Sequence, residues 1–136
     1  MGLKEKRAVK DFQDNHYAEQ KAAIDESAGF SVEVEVDWDA IAKDGMSHLY
    51  AEAWPQVYFT PVVEALKSIC ADDMGREALK DALKKIEITN SGSVSSANQW
   101  ASFSDGVIKL DHEPTTNLHY TDERAKSLTK LLEDAL

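Results

Sequence analysis

The stretch FSVEVEVD, residues 30–37, alternates apolar and polar side chains with period two. Val32, Val34 and Val36 fall on one side of an extended chain, with Ser31, Glu33, Glu35 and Asp37 on the other. The pattern predicts a strand with one apolar and one acidic face. A second informative stretch is WASFSDGVIKLD, residues 100–111. Asp105-Gly106 separates two short runs there, and a two-residue turn of that composition supplies the positive φ angles a tight hairpin needs. The turn sets the register, pairing Phe103 with Ile108 and Ala101 with Leu110 on one face. Ile86 and Ile88, alternating with Glu87 and Thr89, predict a further strand over 86–90. The Ser- and Asn-rich residues 90–99 read as a loop or a frayed strand.

The remaining segments carry helical spacing. Residues 3–28 read as one helix, with Val9, Phe12, Tyr17, Ala23 and Ile24 in one arc and Gly29 closing it. Residues 39–54 place Met46, Leu49, Tyr50, Ala53 and Trp54 together, and Pro55 predicts a break directly after them. Thr60-Pro61 reads as the start of the next helix, which buries Val62, Val63, Ala65, Leu66, Ile69 and Cys70. Asp72-Asp73 caps a helix over 74–85, and Thr121 one over 122–135 that buries Ala125, Leu128, Leu131 and Leu132. The predicted architecture is a small single α+β domain over residues 1–136. Its sheet is four-stranded and mostly antiparallel, with strands near 30–37, 86–90, 98–104 and 107–112, and helices packed on one face.

Charge narrows the function. The chain of 136 residues carries 15 Lys and Arg against 25 Asp and Glu, a net charge of −10. Residues 11–66 alone hold only Lys21 and Lys43 against twelve acids. Such a surface repels a phosphate backbone, which argues against nucleic-acid binding and for a basic protein partner. No run approaches the ~18 apolar residues of a membrane span. Cys70 is the only cysteine, which excludes an intramolecular disulfide. The first residues lack the apolar core of a signal peptide, and a cytoplasmic location is expected.

No catalytic signature stands out. The loop Ser91-Gly92-Ser93 lacks the glycines and the Lys-Ser/Thr pair of a phosphate-binding loop. Asp37-Trp38-Asp39 followed by Asp44-Gly45 has the wrong glycine position for a calcium loop. His48 and Glu52, spaced i and i+4, lie opposite the apolar arc and read as a surface pair. Cys70 reads as a core residue with no histidine beside it in sequence. No cofactor is implied. His112, with Asp111, Glu113 and His119, is the one loop whose residue types could serve a metal or acid–base site, although it lacks a recognised ligand spacing.

Two classes of function follow. The first is a non-catalytic interaction or adaptor module, open to self-association as a homodimer. Its docking face would combine Glu33, Glu35 and Asp37 with Tyr58 and Phe59, read as aromatic anchors in a connector. The alternative is a small metal-dependent or acid–base enzyme built on His112, Glu113 and His119.

Overall fold

The hairpin forms where the Asp-Gly turn places it. In the computed structural model, which describes residues 1–136, β3 (Ala101–Ser104) and β4 (Val107–Asp111) pair antiparallel, with Ala101 opposite Leu110 and Phe103 opposite Ile108. Asp105 and Gly106 both take positive φ, 53° and 81°. The Gly106 carbonyl accepts from the Lys84 N–H at 2.7 Å, which fastens the hairpin tip to the start of β2 (Lys85–Thr89).

The sheet is mixed, and mostly parallel where an antiparallel meander was expected. Its order is β1-β2-β4-β3, where β1 is Glu33–Val36. β1 pairs parallel with β2, and β2 parallel with β4. Two features of the connections explain the difference. Residues 37–84 are mainly helical, and a helical crossover carries the chain back to the end of the sheet at which β1 began, so that β2 runs parallel to it. Residues 90–100 then carry the chain past the carboxyl end of β4, so β4 and not β3 takes the place beside β2. Short bonds hold that crossing loop, among them Ser91 N–H to Asp111 Oδ1 at 2.9 Å and Glu113 N–H to the Val94 carbonyl at 2.7 Å.

The expected helix over 3–28 is two helices, α1 (Leu3–Asn15) and α2 (Tyr17–Ala28), that meet at His16. Val9 and Phe12 are the buried residues of α1, and Ile24 and Ala28 those of α2. On one straight helix the second pair would sit about 110° further round than the first, so the bend brings both to the same core. Phe12 lies edge-on to Trp54, ring centroids 5.0 Å apart. Trp38 opens a short helix, α3 (Trp38–Ile41), capped by the Asp37 carboxylate, which accepts from the Ala40 N–H at 3.2 Å.

Pro55 does not break the chain's helical course. Helix α4 (Tyr50–Trp54) runs through a π-helical turn, Pro55–Phe59, into α5 (Thr60–Ile69). The wide turn faces three consecutive side chains inward, and Val57, Tyr58 and Phe59 are all fully buried. Tyr58 and Phe59 are therefore core residues, not anchors on an exposed connector. They have the covered face of the sheet, Ile86, Ile88, Ile108 and Leu110, in the same hydrophobic core. Helices α6 (Asp73–Ala82) and α7 (Thr121–Ala135) complete the layer. Cys70 is half-buried, its thiol 3.8 Å from the Ala28 carbonyl, and burial raises its pKa.

Gly75, in the first turn of α6, tests how tightly this layer is packed. A Cβ added there would lie 1.7 Å from the Ile69 carbonyl oxygen at the end of α5. An alanine in a helix ordinarily gains about 1 kcal/mol over glycine. Gly75→Ala is expected to reverse that sign and cost about 1–3 kcal/mol, as other overpacked sites do, read as a lower urea midpoint. A stabilised variant would show that α6 is free to move away from α5.

Candidate functional site

Two places in the fold gather chemistry: the open face of the sheet and its carboxyl end. On the sheet, register puts Glu33, Glu35, Lys85, Glu87, Lys109 and Ser102 on the face opposite the buried isoleucines. Glu33 and Glu35 are exposed, as their alternation with valine requires. Lys85 sits between two carboxylates, its Nζ 3.1 Å from Glu35 Oε2 and 3.1 Å from Glu87 Oε1. The hydrogen bonds to Glu87 and Glu35 raise its pKa, so it stays charged. Glu33 has no ion-pair partner. A shallow depression lined by Glu35, Asp37, Glu87, Thr89 and Lys109 crosses this face. The acids and the aromatics expected beside them are thus separated, with the acids on the open side and Tyr58 and Phe59 in the core on the other.

The carboxyl ends of β2 and β4 lie at the same end of the sheet, where parallel α/β sheets commonly bind ligands. In this chain that end is packed with its own side chains. His112 is fully buried, and its Nδ1 lies 2.6 Å from the Glu113 carbonyl oxygen. With Nδ1 donating to that carbonyl, Nε2 carries the lone pair, and it has no hydrogen-bond partner. Burial lowers the pKa of His112, and the Arg124 cation adds to the effect. The main-chain carbonyl of Glu113 and its carboxylate oppose it without prevailing. The imidazole is neutral at pH 7.

Glu113 is ionised for a different reason. Burial pushes its pKa up, but the Thr116 hydroxyl, the Thr115 hydroxyl and N–H, and Lys43 together bring it below the ordinary value. The Thr115 hydroxyl donates to Oε1 at 2.7 Å and Lys43 Nζ at 3.3 Å, while the Thr116 hydroxyl donates to Oε2. Asp111 shows the same balance, with burial outweighed by the Ser91 hydroxyl and the N–H groups of Ser91 and Gly92. Each of these carboxylates fastens a loop.

Arg124 is the residue that sequence reasoning missed. It is fully buried on α7 with no carboxylate in contact, and its guanidinium donates to three main-chain carbonyls. These belong to Asn117 at 2.9 Å, Leu118 at 3.0 Å and Gln56 at 3.2 Å. The Gln56 carbonyl is available because of the π turn. The Thr60 N–H donates to the Pro55 carbonyl, and Pro61, the next residue in line, has no N–H. The Thr121 hydroxyl donates to the same Gln56 oxygen at 3.2 Å. The buried Tyr58 hydroxyl donates to the His112 carbonyl at 2.5 Å, and Trp100 Nε1 to the Arg124 carbonyl at 3.1 Å. The signal was present in the sequence. Arg124 stands four and seven residues before Leu128 and Leu131, on the buried stripe of its helix.

His119 does not join this cluster. It is exposed and packs edge-on to the Tyr120 ring, centroids 4.9 Å apart. No group of three or more His, Cys, Asp or Glu side chains is disposed to hold a metal ion. His112, Glu113 and His119 therefore form no shared site, because His112 and Glu113 turn inward while His119 faces water. His48 and Glu52 are both exposed and make no ion pair with each other. No helix is long and apolar enough to cross a membrane. Comparison with protein-family models, with curated proteins and with solved structures found no match to this chain.

Two outcomes test this reading of the carboxyl end. Arg124→Met removes the donors of three carbonyls, and unsatisfied buried groups cost about 1–3 kcal/mol each. The variant is expected to lose about 3 kcal/mol or more in chemical denaturation. Arg124→Lys should recover little of it, since one ammonium cannot reproduce the planar fork. The second outcome concerns pH. The folded pKa of His112 lies below its ordinary 6.5, so just below that pH the unfolded chain binds a proton the folded one excludes. Stability from this residue is complete above pH 6.5 and declines as the pH falls through it. Urea midpoints between pH 7.5 and 5.5 should fall in the native protein and fall less in His112→Asn.

Proposed function

We propose that the protein is a non-catalytic cytoplasmic interaction module that engages a basic region of a protein partner on the open face of its sheet. The observation that carries this reading is the exposure of Glu33 and Glu35 on a sheet face whose opposite side is sealed by the helices. A buried face stabilises the fold, and the open one is left for recognition. Its charge suits a cationic partner, with Glu33, Glu35, Asp37 and Glu87 set against Lys85 and Lys109. Electrostatic attraction across such a face speeds encounter and selects the partner by sign. The alternative of an enzyme on the His112 loop lacks a comparable support, since His112 is sealed and His119 stands apart from it.

A lysine-rich peptide serves as the probe. It should bind at low ionic strength and weaken markedly at ~0.5 M salt, where charges are screened within a few ångströms. Glu33→Gln with Glu35→Gln should reduce affinity several-fold, while Glu19→Gln with Glu26→Gln on α2 leaves it unchanged. Equal loss in both double variants would mean that net charge alone attracts the peptide, and the assignment to the sheet face would be wrong.

A further inference from the structure

The ladder between β1 and β2 leaves one side of β1 without a partner. The Asp37 N–H donates to the Ile88 carbonyl at 2.9 Å, which fixes the phase of the pairing. In a parallel ladder alternate residues turn both backbone groups to the same side. Glu33, Glu35 and Asp37 therefore face β2, and the N–H and C=O groups of Val34 and Val36 point away from it. No other backbone or side-chain group of the chain bonds to those of Val34 or Val36. β2 is the only element in substantial contact with β1. The opposite edge differs, because α7 packs against β3.

The side chains along this edge say what could fill it. Val34 and Val36 are only half-buried, although they belong to the same layer as the sealed Ile86 and Ile88 beside them. A strand added at the edge would complete that layer with apolar side chains. On the other face it would meet Glu33 and Glu35, where basic side chains fit. A second copy of this chain fits badly, since pairing two β1 strands would bring Glu33 and Glu35 against their own counterparts.

We infer that β1 receives an extended segment of a partner protein by strand addition, and that in this segment basic residues alternate with apolar ones. The inference rests on the interaction reading above and adds its mode, with main-chain bonds to Val34 and Val36 supplying affinity and the alternation supplying selectivity. Acids on an edge strand also discourage aggregation. That role alone would leave the Val34 and Val36 amides exchanging freely whatever peptide is present.

The test compares two peptides of eight residues with alternating Lys and Val, one of them N-methylated at every second residue so that one edge has no donors. Hydrogen exchange of the full-length protein is followed residue by residue. With the unmodified peptide, the Val34 and Val36 amides are expected to slow at least tenfold, and the N-methylated peptide is expected to bind at least tenfold more weakly. Equal binding of both peptides with unchanged exchange at Val34 and Val36 would overturn strand addition and leave recognition by the open face standing. Failure of both peptides to bind would overturn both. Slowed exchange at these amides in the protein alone, growing with protein concentration, would point to a second copy and also overturn the inference.

Discussion

The packing of this domain depends on a buried cation that has no anion. Arg124 spans three main-chain carbonyls, and each belongs to a segment that the regular elements leave unsatisfied. Gln56 lies in the π turn, and Asn117 and Leu118 lie in the loop leading to α7. A buried guanidinium is tolerated only when its donors are matched, and neutral carbonyl dipoles meet most of that need here. Three of the five N–H groups are matched in this way, and Nε has no partner. The arrangement also reaches backward along the chain. Pro61 withholds an N–H, the π turn takes up the irregularity, and three consecutive residues turn into the core. One of them, Tyr58, then holds the carbonyl of His112. The carboxyl end of the sheet, the irregular helix and α7 are thus held through one set of polar contacts.

What was legible in the sequence was local. The Asp105-Gly106 hairpin and its register follow from a two-residue turn and from alternation, and both are fixed within a dozen residues. The acidic face of the first strand was legible for the same reason. Strand order was not, because it depends on which strand occupies the gap beside β2, and nothing within residues 86–90 distinguishes a partner at 101 from one at 107. Pro55 misled because the steric bias it places on the preceding residue is a tendency that packing can override. Trp54 keeps helical angles, φ −62° and ψ −43°, and the helix runs on into the π turn. Once that turn was missed, Tyr58 and Phe59 had no helical face to join and read as exposed. The bend at His16 was hidden by an arc that drifts too slowly round the helix to register over a few turns. Arg124 lay on the buried stripe of its helix and went unread, because arginine is rarely fully buried without a countercharge.

The two faces of the sheet divide the chain's tasks along a period of two. Isoleucine and leucine on one side are sealed, and glutamate and lysine on the other are left open. A shift of one residue in the β1–β2 pairing would exchange these sets. The ionic bridge from Lys85 to Glu35 and Glu87 sits at that boundary, linking β1 and β2 on the wet side. Exposed pairs of this kind add little stability. Their effect is to leave Glu33 and Asp37, at the two ends of the edge strand, as the carboxylates of this face without an ion-pair partner.

Loop-closure entropy ranks the three strand pairings. β3 and β4 are joined by two residues, β2 and β4 are separated by residues 90–106, and β1 and β2 by residues 37–84. Because closure cost rises with the length of chain enclosed, the pairings become steadily more expensive from the β3 edge toward β1. The strand left open at the surface is also the one whose place in the sheet is hardest for the chain to close. It is therefore the end of the sheet with the least local support when it opens.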